Sequence, residues 1–316
     1  SSPTSIENFF RCPYKFFLSK ILKFRPMDSP ENIKTISPMD KGNIYHKIYY
    51  SFYKKLKDDG IGLPSQQNRQ QCINIIREIA GEALTQAEQT GITGSRISCF
   101  REKTTIMNNV IAFVDFEIKY KSKPMYMEFP FGTSGRTKGG NTGRQPASLD
   151  LGNGNHLNFF GRIDRIDVDE EQNTITVIDY KTGSSSKYCE ESLKSGEQLQ
   201  LFLYLLFIDK ALPKHANLSN RKGYYYFATE KGNFRKTIFA EAFIGQRIQA
   251  ESLLLYAYNS VKDGVFTPWP GLKGKNCEHC DFSLLCPQDI QTIFQTKKEC
   301  ALFSEFADLK GSETDE

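Results

Sequence analysis

The sequence predicts an α/β (α+β) domain: a mixed central sheet flanked by helices, with a helical N-terminal layer and a Cys-rich C-terminal segment. Three observations carry this. The N-terminal third places its apolar residues at helical spacing with little alternation. The middle holds strand-like alternation, clearest in "FFGRIDRIDVDEEQNTITVIDYKTG" from Phe159 to Gly183. The order of elements is helices, a strand, a hairpin, a helix, a second hairpin and a helix, which fits a layered sheet.

Taken in order, Thr4-Ser-Ile-Glu7 reads as a capping box that opens a helix through "IENFFRCPYKFFLSKIL", disturbed at Pro13. A loop reaches Met39, and "DKGNIYHKIYYSFYKKLK" follows as a helix capped by Asp40. Periodicity places further helices over residues 65–90 and 101–121. "MYMEFPF" is a strand, and the polar, Gly-rich residues 132–155 are expected to form a mobile hairpin loop. The hairpin after Phe159 turns at Asp169–Thr174. Ser195-Gly-Glu-Gln198 is a second capping box, ahead of "EQLQLFLYLLFIDKAL". "GYYYFATEKGNFRKTIF" turns at Lys231–Asn233, and a last helix from Phe243 stops at Gly264.

Composition narrows the function. The 316 residues suffice for a sizeable core, and 39% hydrophobic with 25% charged residues is ordinary for a globular chain. A net charge of +4 permits a polyanionic partner without demanding one. No stretch is long and apolar enough to span a membrane, and the opening "SSPTSIENFFRCPYKFF" has no signal-peptide pattern. The expectation is a cytoplasmic protein, excised from something longer. Gly274-Lys275 is followed by Asn276, so no Walker A loop forms and no ATP binding is expected in this chain.

The chemistry concentrates in the hairpin. A turn pairing Val168 with Ile175 sets Asp164 opposite Asp179, and alternation puts both on one face with Ile166, Val168, Val177 and Lys181. Opposed like charges destabilise a ladder, and half-burying them costs more. A divalent cation between the carboxylates, with an ammonium beside it, is the simplest compensation. A solvated edge with Lys181 paired to Asp179 is the plainer alternative. His46 among tyrosines and Glu128 in an edge strand each have a plain structural reading, and Gln200 and Tyr204 share one helical face. Of eight cysteines, Cys277, Cys280 and Cys286 crowd into "NCEHCDFSLLC", which suits zinc or an iron–sulfur cluster equally by spacing. Cys72, Cys99, Cys189 and Cys300 read as incidental thiols.

In combination, G-R-I-D, then I-D-Y-K-T-G, then Q-x-x-x-Y resembles the PD-(D/E)XK nuclease superfamily, nearest its RecB/AddB-type branch. His46 in "KGNIYHKIYYSFY", Glu128 in "MEFPFG", Cys12 in "CPYKFF" and the C-x-x-C-x5-C at Cys277, Cys280 and Cys286 extend the likeness across nearly the whole chain. The long polar insert after Gly132 and the lack of a preceding helicase-like region depart from it. The resemblance implies a restriction-endonuclease-like core. It divides one integrated domain into a helical layer (1–125), a nuclease core (126–270) and a cluster segment with tail (271–316). It implies Mg²⁺ or Mn²⁺ held by His46, Asp164, Asp179 and the Tyr180 carbonyl. Lys181 would handle the attacking water, with Gln200, Tyr204 and Glu128 in support. Cys12, Cys277, Cys280 and Cys286 would ligate a [4Fe-4S] cluster. The implied activity is DNA cleavage, as the exonuclease module of a helicase–nuclease that repairs double-strand breaks, acting on single-stranded ends beside a partner subunit. The alternative is a catalytically silent DNA-binding or scaffold module of the same fold.

Overall fold

A computed structural model describes residues 1–25, 35–132, 147–152, 154–185, 188, 195–238, 240–271, 274–287, 289–297 and 300–310. A five-stranded sheet lies between two helical layers. Its strands are β1 (Pro124–Phe131), β4 (Gly161–Asp169), β5 (Thr174–Lys181), β6 (Asn220–Phe227) and β7 (Lys236–Ile238), side by side in that order. All neighbours are antiparallel except β5 and β6, which run parallel and so need a crossover. The crossover contains α6 (Gln200–Ala211).

The sheet faces divide cleanly. On one, Ile166, Val168, Ile175, Val177, Tyr225 and Phe227 join a core with α1 (Pro3–Arg11), α6, α7 (Ala240–Asp263) and α9 (Ala301–Leu309), the last preceded by the short α8 (Ile290–Lys297). On the other, Ile178, Tyr180 and Tyr226 pack against α3 (Pro38–Asp58), α4 (Arg69–Gln89) and α5 (Arg96–Tyr120). Helix α3 buries Ile44, Tyr45, Ile48, Tyr49, Phe52, Tyr53 and Leu56, a stripe at helical spacing. Burying each such side chain contributes about 2 kcal/mol.

Three expected helix starts are corrected. Helix α1 is capped by Ser2, whose hydroxyl accepts the Ser5 N–H, so Thr4 and Glu7 form no capping box there. Helix α3 is capped by Ser37, whose hydroxyl accepts the Asp40 N–H at 3.0 Å and donates to its carboxylate at 2.6 Å. Both caps precede proline, which presets the helical φ and has no N–H to satisfy. Helix α6 begins at Gln200 with no side-chain cap of its own, because residues 195–198 form a turn. The expected break at Pro13 occurs one residue earlier: Cys12 is extended, and α2 (Pro13–Phe16) restarts behind it. Most of the Gly-rich segment lies outside the described residues. Its end forms β2 (Ala147–Asp150), which pairs with β3 (His156–Phe159) as a separate two-stranded sheet.

Candidate active site

Val168 pairs with Ile175 as expected, and the ladder continues to Arg165 opposite Ile178. There it changes. The Tyr180 N–H donates to the Asp164 carboxylate at 2.8 Å, so a side chain takes over the ladder where the two aspartates meet. Asp164 and Asp179 are both buried.

Helix α3 brings His46 to this end of the sheet. Its Nδ1 lies 3.3 Å from Asp164 and 3.8 Å from Glu128, while Nε2 is 3.3 Å from the Tyr180 carbonyl. Burial opposes charge on His46, but the facing carboxylates prevail, Asp164 foremost, and hold it up to about 10. Glu128 reaches the site from the edge strand because its backbone is left-handed, at φ 50°. That conformation is costly for a side chain with a Cβ, and such strain gathers where a side chain must be aimed. Arg162 holds the other Glu128 oxygen at 3.1 Å. His46, Glu128 and Asp164 present ligand atoms all within 4.8 Å of one another.

Asp179 stands beside this trio. Its Oδ2 is 2.5 Å from Lys181 Nζ, yet has no hydrogen bond of good geometry. Burial, with Asp164 adding to it, raises the carboxyl to about 6 against the pull of Lys181. For Lys181, burial favours the neutral amine, but Asp179 outweighs it and raises the ammonium above its ordinary value. Lys181 also donates to Gln200 Oε1 at 3.1 Å and lies over the Tyr225 ring. Gln200 Nε2 donates to Tyr204 at 2.7 Å, and Tyr204 donates to the Arg162 carbonyl at 3.0 Å. The Gln200–Tyr204 stripe is therefore the hydrogen-bonded ruler for Lys181.

Sequence reasoning missed Glu7. Its carboxylate is buried, accepts the Gln200 N–H at 2.9 Å and lies within the field of Lys181 and Asp179. The misleading signal is the apparent capping box, which assigns Glu7 to its own helix.

The four cysteines gather elsewhere, around one cavity with Trp269, Pro270 and Asn276. Cys12 Sγ accepts N–H bonds from Trp269 at 3.4 Å and Lys15 at 3.5 Å. Burial first, and the neighbouring sulfurs next, raise the Cys286 thiol to about 11 and Cys277 above its ordinary value. Four cysteine sulfurs around one cavity are a donor set that fits a metal or cluster. Cys72 and Cys99 are buried within the helical layer and Cys300 is exposed; Cys189 lies outside the described residues.

The mixed five-stranded sheet flanked by helices, with buried carboxylates and a lysine at its end, defines a restriction-endonuclease-like domain with a candidate metal site. The PD-(D/E)XK nuclease superfamily profile matches residues 1–287, and the chain belongs to that superfamily. It is similar to an ATP-dependent helicase/deoxyribonuclease subunit of Thermoanaerobacter sp. (strain X514), 27% identical over 72% of this chain and 19% of the relative. The subunit of the same name from Alkaliphilus oremlandii (strain OhILAs) is 26% identical over 83% of this chain and 23% of the relative. That of Clostridioides difficile (strain 630) is 27% identical over 65% and 17%. The chain thus spans about a fifth of the length of these relatives.

Proposed function

We propose that this chain is the nuclease module of a helicase–nuclease and hydrolyses DNA phosphodiesters with a divalent metal. The observation that carries the reading is the convergence of His46, Glu128 and Asp164 beside the buried Asp179 and its ion-pair partner Lys181. Mg²⁺ or Mn²⁺ would be held by His46, Glu128 and Asp164, with Asp179 and the Tyr180 carbonyl beside them, and would supply Lewis acidity. Lys181 orients the attacking water and offsets negative charge developing on the phosphate. Gln200 and Tyr204 fix its reach. Asp164, Asp179 and Lys181 are all present, so no observation favours a silent scaffold.

The relatives' name, ATP-dependent helicase/deoxyribonuclease subunit, supports a helicase partner and DNA as the substrate; double-strand break repair and a cytoplasmic setting complete the reading we propose. An exonuclease on single-stranded ends is the mode we assign. Residues 1–125, 126–270 and 271–316 belong to one domain in this reading, but the first segment does not form a single layer: Ile6 and Phe10 of α1 share a core with Phe306 on one face of the sheet, while α3, α4 and α5 cover the other. Cys12, Cys277, Cys280 and Cys286 ligate a [4Fe-4S] cluster in this reading.

The test is cleavage of a labelled single strand with Mg²⁺ or Mn²⁺ against EDTA, in wild type and Asp179→Ala. Metal-dependent cleavage lost in the variant is expected. Undiminished cleavage by Asp179→Ala would sink the assignment. Binding through phosphates should also weaken steeply with salt and ignore sequence.

A further inference from the structure

Glu7 is a buried carboxylate outside the metal-binding set, contributed by the first helix to the far side of the lysine. Its Oε1 accepts the backbone N–H of Gln200, the first residue of α6. That helix has no cap of its own, and the N–H groups of a first turn need acceptors. Glu7 therefore caps a helix remote in sequence, and a carboxylate there also meets the positive end of the helix dipole.

Two further contacts tie the same spot to the same helix. Gly196, at φ 80°, approaches so closely that a Cβ there would lie 2.5 Å from the Phe10 ring. Phe10 in turn stacks on Phe306 of α9, and Lys310 of the segment after α9 reaches the Ser195 carbonyl and Glu197. From Glu7 the path is short: Gln200 N–H to Glu7, Gln200 Oε1 to Lys181, and Gln200 Nε2 to Tyr204. Gln200 is thus held at its backbone by Glu7 while its side chain holds Lys181. Five residues after Glu7, Cys12 anchors the same N-terminal segment in the cysteine pocket.

We propose that Glu7 is a positioning residue for Lys181, acting through Gln200, and that it transmits the anchoring of the N-terminal segment to the cleavage site. The proposal rests on the reading of Lys181 as catalytic. It accounts for a buried acid that no local structure requires, since α1 already has Ser2 as its cap.

The experiment compares Glu7→Ala with the near-isosteric Glu7→Gln, whose amide oxygen still accepts the Gln200 N–H. Both chains are first checked by thermal melting. In metal-dependent cleavage, Glu7→Ala should lower kcat on the order of 10–100-fold, as a misplaced group does, with KM nearly unchanged. Glu7→Gln should restore most of kcat. A second readout needs no activity: acetylation of Lys181 by an amine-reactive ester in EDTA, followed by peptide mass spectrometry. Glu7→Ala should label Lys181 several-fold faster, and Glu7→Gln at the wild-type rate. Should Glu7→Ala not fold, Glu7→Asp, one methylene short of Gln200, takes its place with the same expected pattern. Unchanged Lys181 labelling in the truncated variant, or a Glu7→Gln as defective as Glu7→Ala, would overturn the proposal. Cleavage that persists in Asp179→Ala would instead overturn the reading of the site, leaving the labelling result to judge Glu7.

Discussion

Adjacent residues of β4 send opposite charges to opposite faces of the sheet, and the two burials end differently. Arg165 is fully buried, donates to Glu117, Asp167, Tyr53 and Tyr180, and has every nitrogen engaged. Its partner Glu117 is just as buried, yet Arg165 and Lys236 outweigh burial and hold that carboxyl below its ordinary range. On the other face Asp179 is also buried and also has a base beside it, but burial and Asp164 win and its carboxyl rises to about 6. One cluster carries its own countercharge. The other has too many carboxylates for its cations, and that shortfall is where a metal ion fits. A buried ion network is thus structural when the chain completes it and functional when it does not.

Mutations at the two faces should separate activity from stability. The largest effect is expected for Asp179→Ala and Lys181→Ala: a loss of cleavage of about 1000-fold or more, near 4 kcal/mol in the barrier, with folding retained. A gel assay with Mg²⁺ beside a thermal melt in EDTA reads both quantities. Arg165→Met should do the reverse by leaving the buried Glu117 and the half-buried Asp167 without that cation. Its expected cost is about 3–5 kcal/mol, measured by denaturant unfolding. An Arg165→Met chain that melts like wild type would remove the contrast.

The cysteine pocket extends the comparison to thiols without a countercharge. Cys12→Ala should lose visible absorption and destabilise the whole domain, since a link from Cys12 to Cys277 closes most of the chain. By analogy with long disulfide loops the loss is about 4–5 kcal/mol. Asp179→Ala should keep the colour. A colourless, zinc-containing and fully active wild type would exclude the cluster, and a Cys12→Ala that melts like wild type would exclude its role as a cross-link.

The smallest effect concerns pH. Burial, opposed by Lys181, raises Glu7 from 4.5 to about 7. A carboxyl raised on folding contributes its full stability below its unfolded value and loses it as pH climbs through the folded one. Wild-type stability in EDTA should therefore fall between about pH 4.5 and 7 by a component that Glu7→Gln lacks. Parallel stability profiles for the two chains across that range would contradict the assignment of Glu7 as a buried titrating acid.

Much of this is legible in the sequence because it depends on short-range periodicity. Alternation from Asp164 to Lys181 determines the hairpin, its face and the company of Val168 and Ile175. The spacing of Gln200 and Tyr204 puts both on one helical face, and their bond at 2.7 Å follows from it. The Ser-Pro starts at Ser2 and Ser37 are also in the sequence, where acidic residues nearer the apolar runs compete with them as start signals.

Tertiary structure alone decided which distant charges meet. Asp167, two positions along the strand, accepts from two of the Arg165 nitrogens, and that much is local. The third is satisfied by Glu117, Tyr53 and Tyr180, which only the fold brings there. Glu128 reaches His46 only through a left-handed residue in an edge strand, and Glu7 finds its partner 193 positions along the chain. Local pattern determines where a side chain points, because the strand and helix periods are set by the backbone. Whether its charge is compensated is a sum over everything that folding brings within a few ångströms, and that sum has no local signature.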